Sequence, residues 1–472
     1  MIRRYGLTLL LTLTVLAGCA TPSRNVDPRT LSYPQLKFAI PQSNRVTLDN
    51  GIVLYLLEDH ELPIVSLSAF LRTGSIYEPA DMTGLAGITG VLIRSGGTAT
   101  LSPDALDAEL EFMASGIESS IGDESGSVSM TTLSRNLDRT LALFTEVMLT
   151  PGFDQGRLDL NIKNSVESVR RQNDDPKGIA AREFRRALYA NHPLGRVATI
   201  ESFNRITRND VSNFYRKALQ PAGIILAASG DFESKALTEK LNNLLGKWRP
   251  ETTSLPAISQ PDTTPVKRVL KAQKQVSQSV IKMGHLGLEK NNPDQYAVRV
   301  MDYILGGGFT SRLTQEIRSN QGLAYHAGSR FDIGRRFPGT FTAETETKSA
   351  STAKAITLMK EIITGMTMAP VTREELEQAR ESIINSFIFG FTRADSIVTQ
   401  QARLEFFDYP QGYLENFRDN IAKVTADDIL RVSRKYLHPE TMTILVVGDE
   451  KKFDGPLSAF GEVTEIKLEN SK

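Results

Sequence analysis

The sequence predicts an α+β protein built twice from one design, and three observations carry that reading. Short alternating segments and longer helical periodicities follow one another through the first half. A polar stretch at 251–268, holding Pro256, Pro261 and Pro265, divides the chain near its middle as a linker. Landmarks of the first half then return in the second at a fixed separation.

In chain order, strands are expected at 45–48, 52–58 and 64–71, the first two joined through Asn50-Gly51. A helix follows Thr83. Ser102-Pro103 offers a cap and a first-turn proline for a second helix near 104–114. Alternation through 119–132 predicts a hairpin, and Leu137, Leu141, Phe144 and Met148 recur at the spacing of a helix laid on a sheet. The pattern is then helical to about residue 220, and a strand at 224–228 closes the half.

The repeat is specific. Asn191-His192-Pro193-Leu194-Gly195 leads to Ile206-Thr207, Asp210-Val211, Tyr215-Arg216-Lys217, Pro221 and Gly230-Asp231. Asp408-Tyr409-Pro410-Gln411-Gly412 leads to Val424-Thr425, Asp428-Ile429, Ser433-Arg434-Lys435, Pro439 and Gly448-Asp449. From Thr207 onward the separation is a constant 218 residues. Register kept through a helix, a proline turn and a terminal strand marks an internal duplication, with halves at 39–250 and 269–472.

At 472 residues, 40% hydrophobic and 23% charged, the chain has ample material for a core. Residues 1–18 stand apart: Arg3 and Arg4, an apolar run from Leu7 to Leu16, then Leu16-Ala17-Gly18-Cys19. The run is too short for a membrane span and resembles a bacterial lipoprotein signal with its lipobox. That resemblance implies cleavage before Cys19, lipid on its thiol and a tether over 19–38. Ala20 and Thr21 imply an outer-membrane destination facing the periplasm. Cys19 is the sole cysteine, so no internal disulfide forms; the alternative is a secretory signal with an incidental cysteine. Without residues 1–18, 53 basic side chains face 55 acidic ones, which gives no footprint for nucleic acid. The runs Ser95-Gly96-Gly97 and Gly306-Gly307-Gly308 lack the lysine and spacing of a phosphate loop.

Leu71-Arg72-Thr73-Gly74-Ser75, Glu78 and Gly84-Leu85-Ala86 resemble the approach to the inverted zinc helix of the pitrilysin and mitochondrial processing peptidase family, the M16-type metallopeptidases. Pro151-Gly152-Phe153, Asn173-Asp174-Asp175-Pro176 and 189–195 resemble its downstream landmarks. In the second half, 305–307, Ser311-Arg312-Leu313, Arg318 and Gly322-Leu323-Ala324-Tyr325 resemble its noncatalytic half. The resemblance covers about residues 40–455. It implies a duplicated clamshell of antiparallel sheets packed with helices, four similar domains in two halves, closing on an extended peptide.

The family's active half holds zinc through His-x-x-Glu-His on one helix and a glutamate on another. Those positions fall on Gly87, Gly90, Val91 and Ser168, none of which supplies a donor; Glu167 is turned about 100° from Ser168 on a helix. The histidines His60, His192, His285, His326 and His438 form no close pair in sequence, which leaves only a non-local site as a substitute. His192 and His326 read as structural or substrate-contact residues. The two motif glycines fit either drift after lost catalysis or close approach of a neighbouring element. Arg318 and Tyr325 match an arginine and tyrosine that meet substrate in the family, where a guanidinium and a phenol can steady a carbonyl or oxyanion. Their spacing of seven also suits two turns of one helix, with Arg318 as a surface ion-pair residue. Residues 116–126 resemble the strand region that receives substrate as an added strand.

The resemblance therefore implies a zinc-free subunit of a heteromeric peptidase. A metal-bearing partner of the same family would supply zinc, and an unfolded or extended peptide would be the substrate. A catalytically inactive envelope scaffold or peptide-binding protein is the alternative, and an independent zinc endopeptidase is the third reading.

Overall fold

The computed structural model describes residues 38–249 and 255–468, and all that follows concerns the compact unit Ile40–Lys472. The expected signal, Cys19 and the tether up to residue 37 lie outside the described residues.

The first sheet is built from β1 (Asn44–Thr47), β2 (Val53–Glu58), β3 (Ile64–Leu71), β4 (Gly116–Ile121), β5 (Gly126–Leu133) and β6 (Ile225–Gly230). The second is built from β7 (Arg268–Gln273), β8 (Gln278–Leu286), β9 (Ala324–Phe331), β10 (Thr340–Lys348), β11 (Thr443–Gly448) and β12 (Val463–Ile466). Their orders are β1-β2-β6-β3-β5-β4 and β12-β7-β11-β8-β10-β9. Without the outermost β1 and β12, the two five-stranded orders coincide. β1 runs antiparallel to β2, whereas β12 runs parallel to β7.

The α+β class and the duplication are as the sequence predicts, with two differences. The sheets are mixed, because β2–β6 and β7–β11 are parallel. Each half also carries a single sheet, so the described residues hold two sheet-and-helix units where the resemblance implies four similar domains.

Local chemistry sets the repeated elements. Thr207 and Asp210 close a reciprocal capping box on helix Arg208–Ala218, and Thr425 and Asp428 do the same on helix Ala426–Tyr436. These helices start 218 residues apart, as do β6 and β11 and the helices Pro176–Tyr189 and Ala394–Phe406.

That last pair is exchanged between the halves. Ile179, Ala180 and Phe184 pack on Ala272, Val280, Leu445 and Val447 of the second sheet. In return, Val398, Ala402 and Phe406 pack on Phe70, Ile225 and Ala227 of the first. Arg45 donates twice to Glu405, at 2.7 Å each, and Lys177 pairs with Glu346 at 2.7 Å. The halves of this chain are therefore cross-braced by buried apolar surface, which opposes hinging between them.

Candidate functional site

The expected zinc-motif positions lie on helix Leu85–Ser95. Glu78 fixes its start: the carboxylate accepts from Gly84 N–H at 3.0 Å and Ala86 N–H at 2.9 Å, two donors a helix start leaves unpaired. Burial pushes the Glu78 carboxyl up to about 7, against the pull of those two donors.

The structure separates the two motif glycines. A methyl group on Gly87 would meet nothing within 4 Å. One on Gly90 would stand 2.3 Å from Ile121 N and 2.8 Å from the carbonyl carbon of Ser120. Gly90 is thus where the helix and β4 meet backbone to backbone, so close approach explains Gly90 and not Gly87. Val91 is exposed. Ser168 is exposed on helix Gln155–Arg171, and Glu167 beside it is spent on Arg171 at 2.8 Å and Arg170 at 3.6 Å. Zinc finds no donor set at these positions: two lack a side chain, one is apolar and one is a lone hydroxyl.

Other groupings do not replace it. Among the described residues, one His/Asp/Glu trio brings its ligand atoms within 4.8 Å of one another: Glu58, His60 and Glu233, all exposed. His60 Nδ1 there is already 2.8 Å from Asp231. The fold does bring two histidines together, His285 and His438, with ring centroids 4.8 Å apart. His285 is buried, and desolvation lowers it to about 4. His192 is structural: it accepts from Leu194 N–H at 3.2 Å and donates to the Ser259 carbonyl at 3.0 Å.

Arg318 and Tyr325 do meet, but not along one helix. Arg318 sits on a π-helical turn, Thr314–Asn320, and Tyr325 is on β9 beyond a reversal in which Gly322 takes a φ of 60°. The guanidinium lies 5.1 Å from the Tyr325 ring centroid and 5.1 Å from that of Phe309, a third member with no periodic signal in the sequence. Phe309 is 75% exposed and Tyr325 86%. The nearby acid Glu316 is committed elsewhere, accepting from Asn320 at 2.7 Å and Gln321 at 2.9 Å. A half-buried cation thus lies between two exposed aromatic rings, and among the described residues Arg318 makes no ion pair.

His326, next along β9, lines a cleft of about 900 Å³ with Lys282, Arg299, Asp302, Arg330 and Tyr409. Burial pushes the Asp302 carboxyl up to about 6, although it accepts from Ser329 Oγ at 2.6 Å. β4 is the edge of the first sheet and β9 the edge of the second.

Comparison with known proteins decides the family. Residues 54–199 match the insulinase-type peptidase M16 domain, and residues 205–383 match the peptidase M16 inactive domain. The chain belongs to the M16 peptidase family.

Within M16, this chain is similar to a Helicobacter pylori protein described as the non-peptidase homolog YmxG. The two are 23% identical over 402 residues, covering 84% of this chain and 91% of the other. Other M16 relatives, at 20 to 24% identity, are described as uncharacterized zinc proteases. Its fold is similar to that of a peptidase M16 inactive domain from Pseudomonas fluorescens, with a TM-score of 0.78 at 23% identity. That match covers 86% of this chain and 98% of that one. It is also similar to the periplasmic protease PqqL of Escherichia coli, with a TM-score of 0.74 at 15% identity. There 91% of this chain covers only 48% of the neighbour, so the chain is about half of that fold. The zinc-motif positions fall within the segment matched by the peptidase M16 domain, and their lack of a donor set, together with the likeness to a non-peptidase homolog, is consistent with a noncatalytic M16-like protein.

Proposed function

We propose that this chain is the zinc-free subunit of a two-chain M16 peptidase. A metal-bearing partner of the same family supplies zinc and the water-activating glutamate. This chain supplies Arg318 and Tyr325 to an unfolded or extended peptide held between the two. The observation that carries the reading is the Phe309–Arg318–Tyr325 cluster: a cation beside an exposed phenol, with no ion pair to Arg318 among the described residues. The cross-braced halves add support, because closure on a peptide then falls between chains, and PqqL carries about two such lengths. The lipobox at Cys19 supports an outer-membrane anchor facing the periplasm.

The test is hydrolysis of an unstructured fluorogenic peptide library by this chain, by a metal-bearing M16 chain from the same organism, and by the two mixed with zinc. Activity is expected in the mixture alone, with a loss of about 100-fold on Arg318→Ala or Tyr325→Ala. A metal-bearing chain indifferent to this one would overturn the proposal. It would leave the second reading, an inactive envelope scaffold or peptide-binding protein, which the tight packing of Gly90 on β4 favours.

A further inference from the structure

The edge of β4 is where an extended peptide would add to the first sheet, and a side chain of this chain already takes one of its outward carbonyls. Gly122 N–H donates to the Ser125 carbonyl at 2.9 Å, which marks 122 and 125 as a hydrogen-bonded pair. Antiparallel pairs alternate, so Ser120, Glu118 and Gly116 spend their backbone groups on β5. Ile121, Ser119 and Ile117 direct theirs off the sheet, as an open edge would.

That edge is partly capped. Arg94 Nε–H donates to the outward Ile117 carbonyl at 3.1 Å. The rest of the guanidinium is held by Asp107, which also takes Arg157 at 3.1 Å, and Arg157 in turn reaches Asp104 at 2.8 Å. The Ser119 hydroxyl donates to the Gly90 carbonyl at 2.6 Å and accepts from Arg94 N–H at 3.0 Å. These are the two groups that a helical bond from residue 94 to residue 90 would join, so the strand is stitched into the helix ladder. A side chain at Gly90 would force the two apart. The second sheet has a similar device: Asp332 N–H donates to Thr340 O at 2.9 Å, so Ala327 points outward, and Thr314 Oγ–H takes its carbonyl at 3.0 Å.

We propose that Arg94 and Ser119 form a built-in seal on the β4 edge that keeps an extended peptide from adding to the N-terminal half as a further strand. Resting on the two-chain reading above, this assigns the added strand to the metal-bearing partner. The present chain then contributes side chains and wall but no strand-pairing edge. Arg94 becomes a specificity-determining residue: by holding the Ile117 carbonyl it weakens the hold of this half on peptide backbone.

The test uses the full chain alone, so its outcome does not depend on hydrolysis by a mixture. Binding of a fluorescein-labelled unstructured peptide is followed by anisotropy for the wild type, Arg94→Ala and Arg94→Met, the last keeping the apolar stem. Both variants are expected to gain about tenfold in affinity, the worth of one freed carbonyl. Amide exchange with saturating peptide is expected to slow at Ile117 and Ser119 in the variants and to stay unchanged in the wild type. No gain in affinity, or peptide protection of Ile117 and Ser119 in the wild-type chain, would overturn the proposal. The exchange measurement on the wild type decides the matter even if both variants fail to fold.

Discussion

Two glycines three residues apart on one helix should respond to the same substitution with opposite signs. At Gly87 an added methyl meets nothing within 4 Å, so Gly87→Ala keeps only the gain in helix propensity, up to about 1 kcal/mol. At Gly90 the same gain is opposed by a methyl 2.3 Å from Ile121 N. The two nearest atoms, Ile121 N and the Ser120 carbonyl carbon, are backbone, and the strand cannot rotate aside as a flexible side chain would. Overpacking of this kind costs about 1–3 kcal/mol. Displacing β4 also strains the Ser119 bond to the Gly90 carbonyl, worth about 1 kcal/mol. The net expectation is a loss of about 1–3 kcal/mol for Gly90→Ala, against a gain for Gly87→Ala. Urea unfolding midpoints read the difference, and exchange of the amides at 116–121 reads its location. Equal stabilisation by both variants would refute the claim that Gly90 is fixed by the contact with β4.

The remaining expectations follow from the same geometry. Rebuilding the motif as Gly87→His, Gly90→Glu and Val91→His should give neither tight zinc binding, by metal analysis after dialysis, nor hydrolysis, because residue 90 cannot carry a side chain without moving β4. His285 is held near 4 by burial while its unfolded value is about 6.5, so the unfolded chain takes the proton first; stability is full above about pH 6.5 and falls by at most about 3 kcal/mol toward pH 4. His285→Phe should flatten that slope in a stability–pH series. Separate fragments 38–249 and 255–468 should each expose the apolar surface of the exchanged helices and aggregate, while co-expression restores a soluble complex, as gel filtration would report. Cys19→Ser should move the chain from the membrane fraction to the soluble fraction on cell fractionation.

The fold was legible because its signals are local or periodic. The capping threonines Thr207 and Thr425, the proline after Ser102 and the alternation through β5 are each written within a few residues. The 218-residue repeat was legible because exchange of two helices leaves their sequence order unchanged. For the same reason the exchange itself was invisible, since nothing in Ile179 or Val398 says which sheet each will cover. At the site, the missing ligands were plain, because chemistry is absent residue by residue. The meaning of Gly90 was not, because it depends on Ser120 and Ile121, some thirty residues on. The spacing of Arg318 and Tyr325 suggested one helix, and the helix-to-strand reversal at Gly322 replaced it.

The two ends of this asymmetry bear on one another. On the Gly90 side of helix Leu85–Ser95 the contacts are packing: Gly90 against β4, Ser119 in the helix ladder, Arg94 on the edge carbonyl. Each of these contacts has a structural use, so they need no ligand to explain them. Around Arg318 the case is reversed. Exposed cation–π contacts are worth about 0.5–1 kcal/mol, little return for two large aromatic rings left mostly in water. A side-chain set that folding does not require is better explained by something it touches. On the two-chain proposal that contact comes from outside the cross-braced chain, and a peptide held by a second M16 chain would offer the carbonyls and carboxylates that a guanidinium beside a phenol can bind.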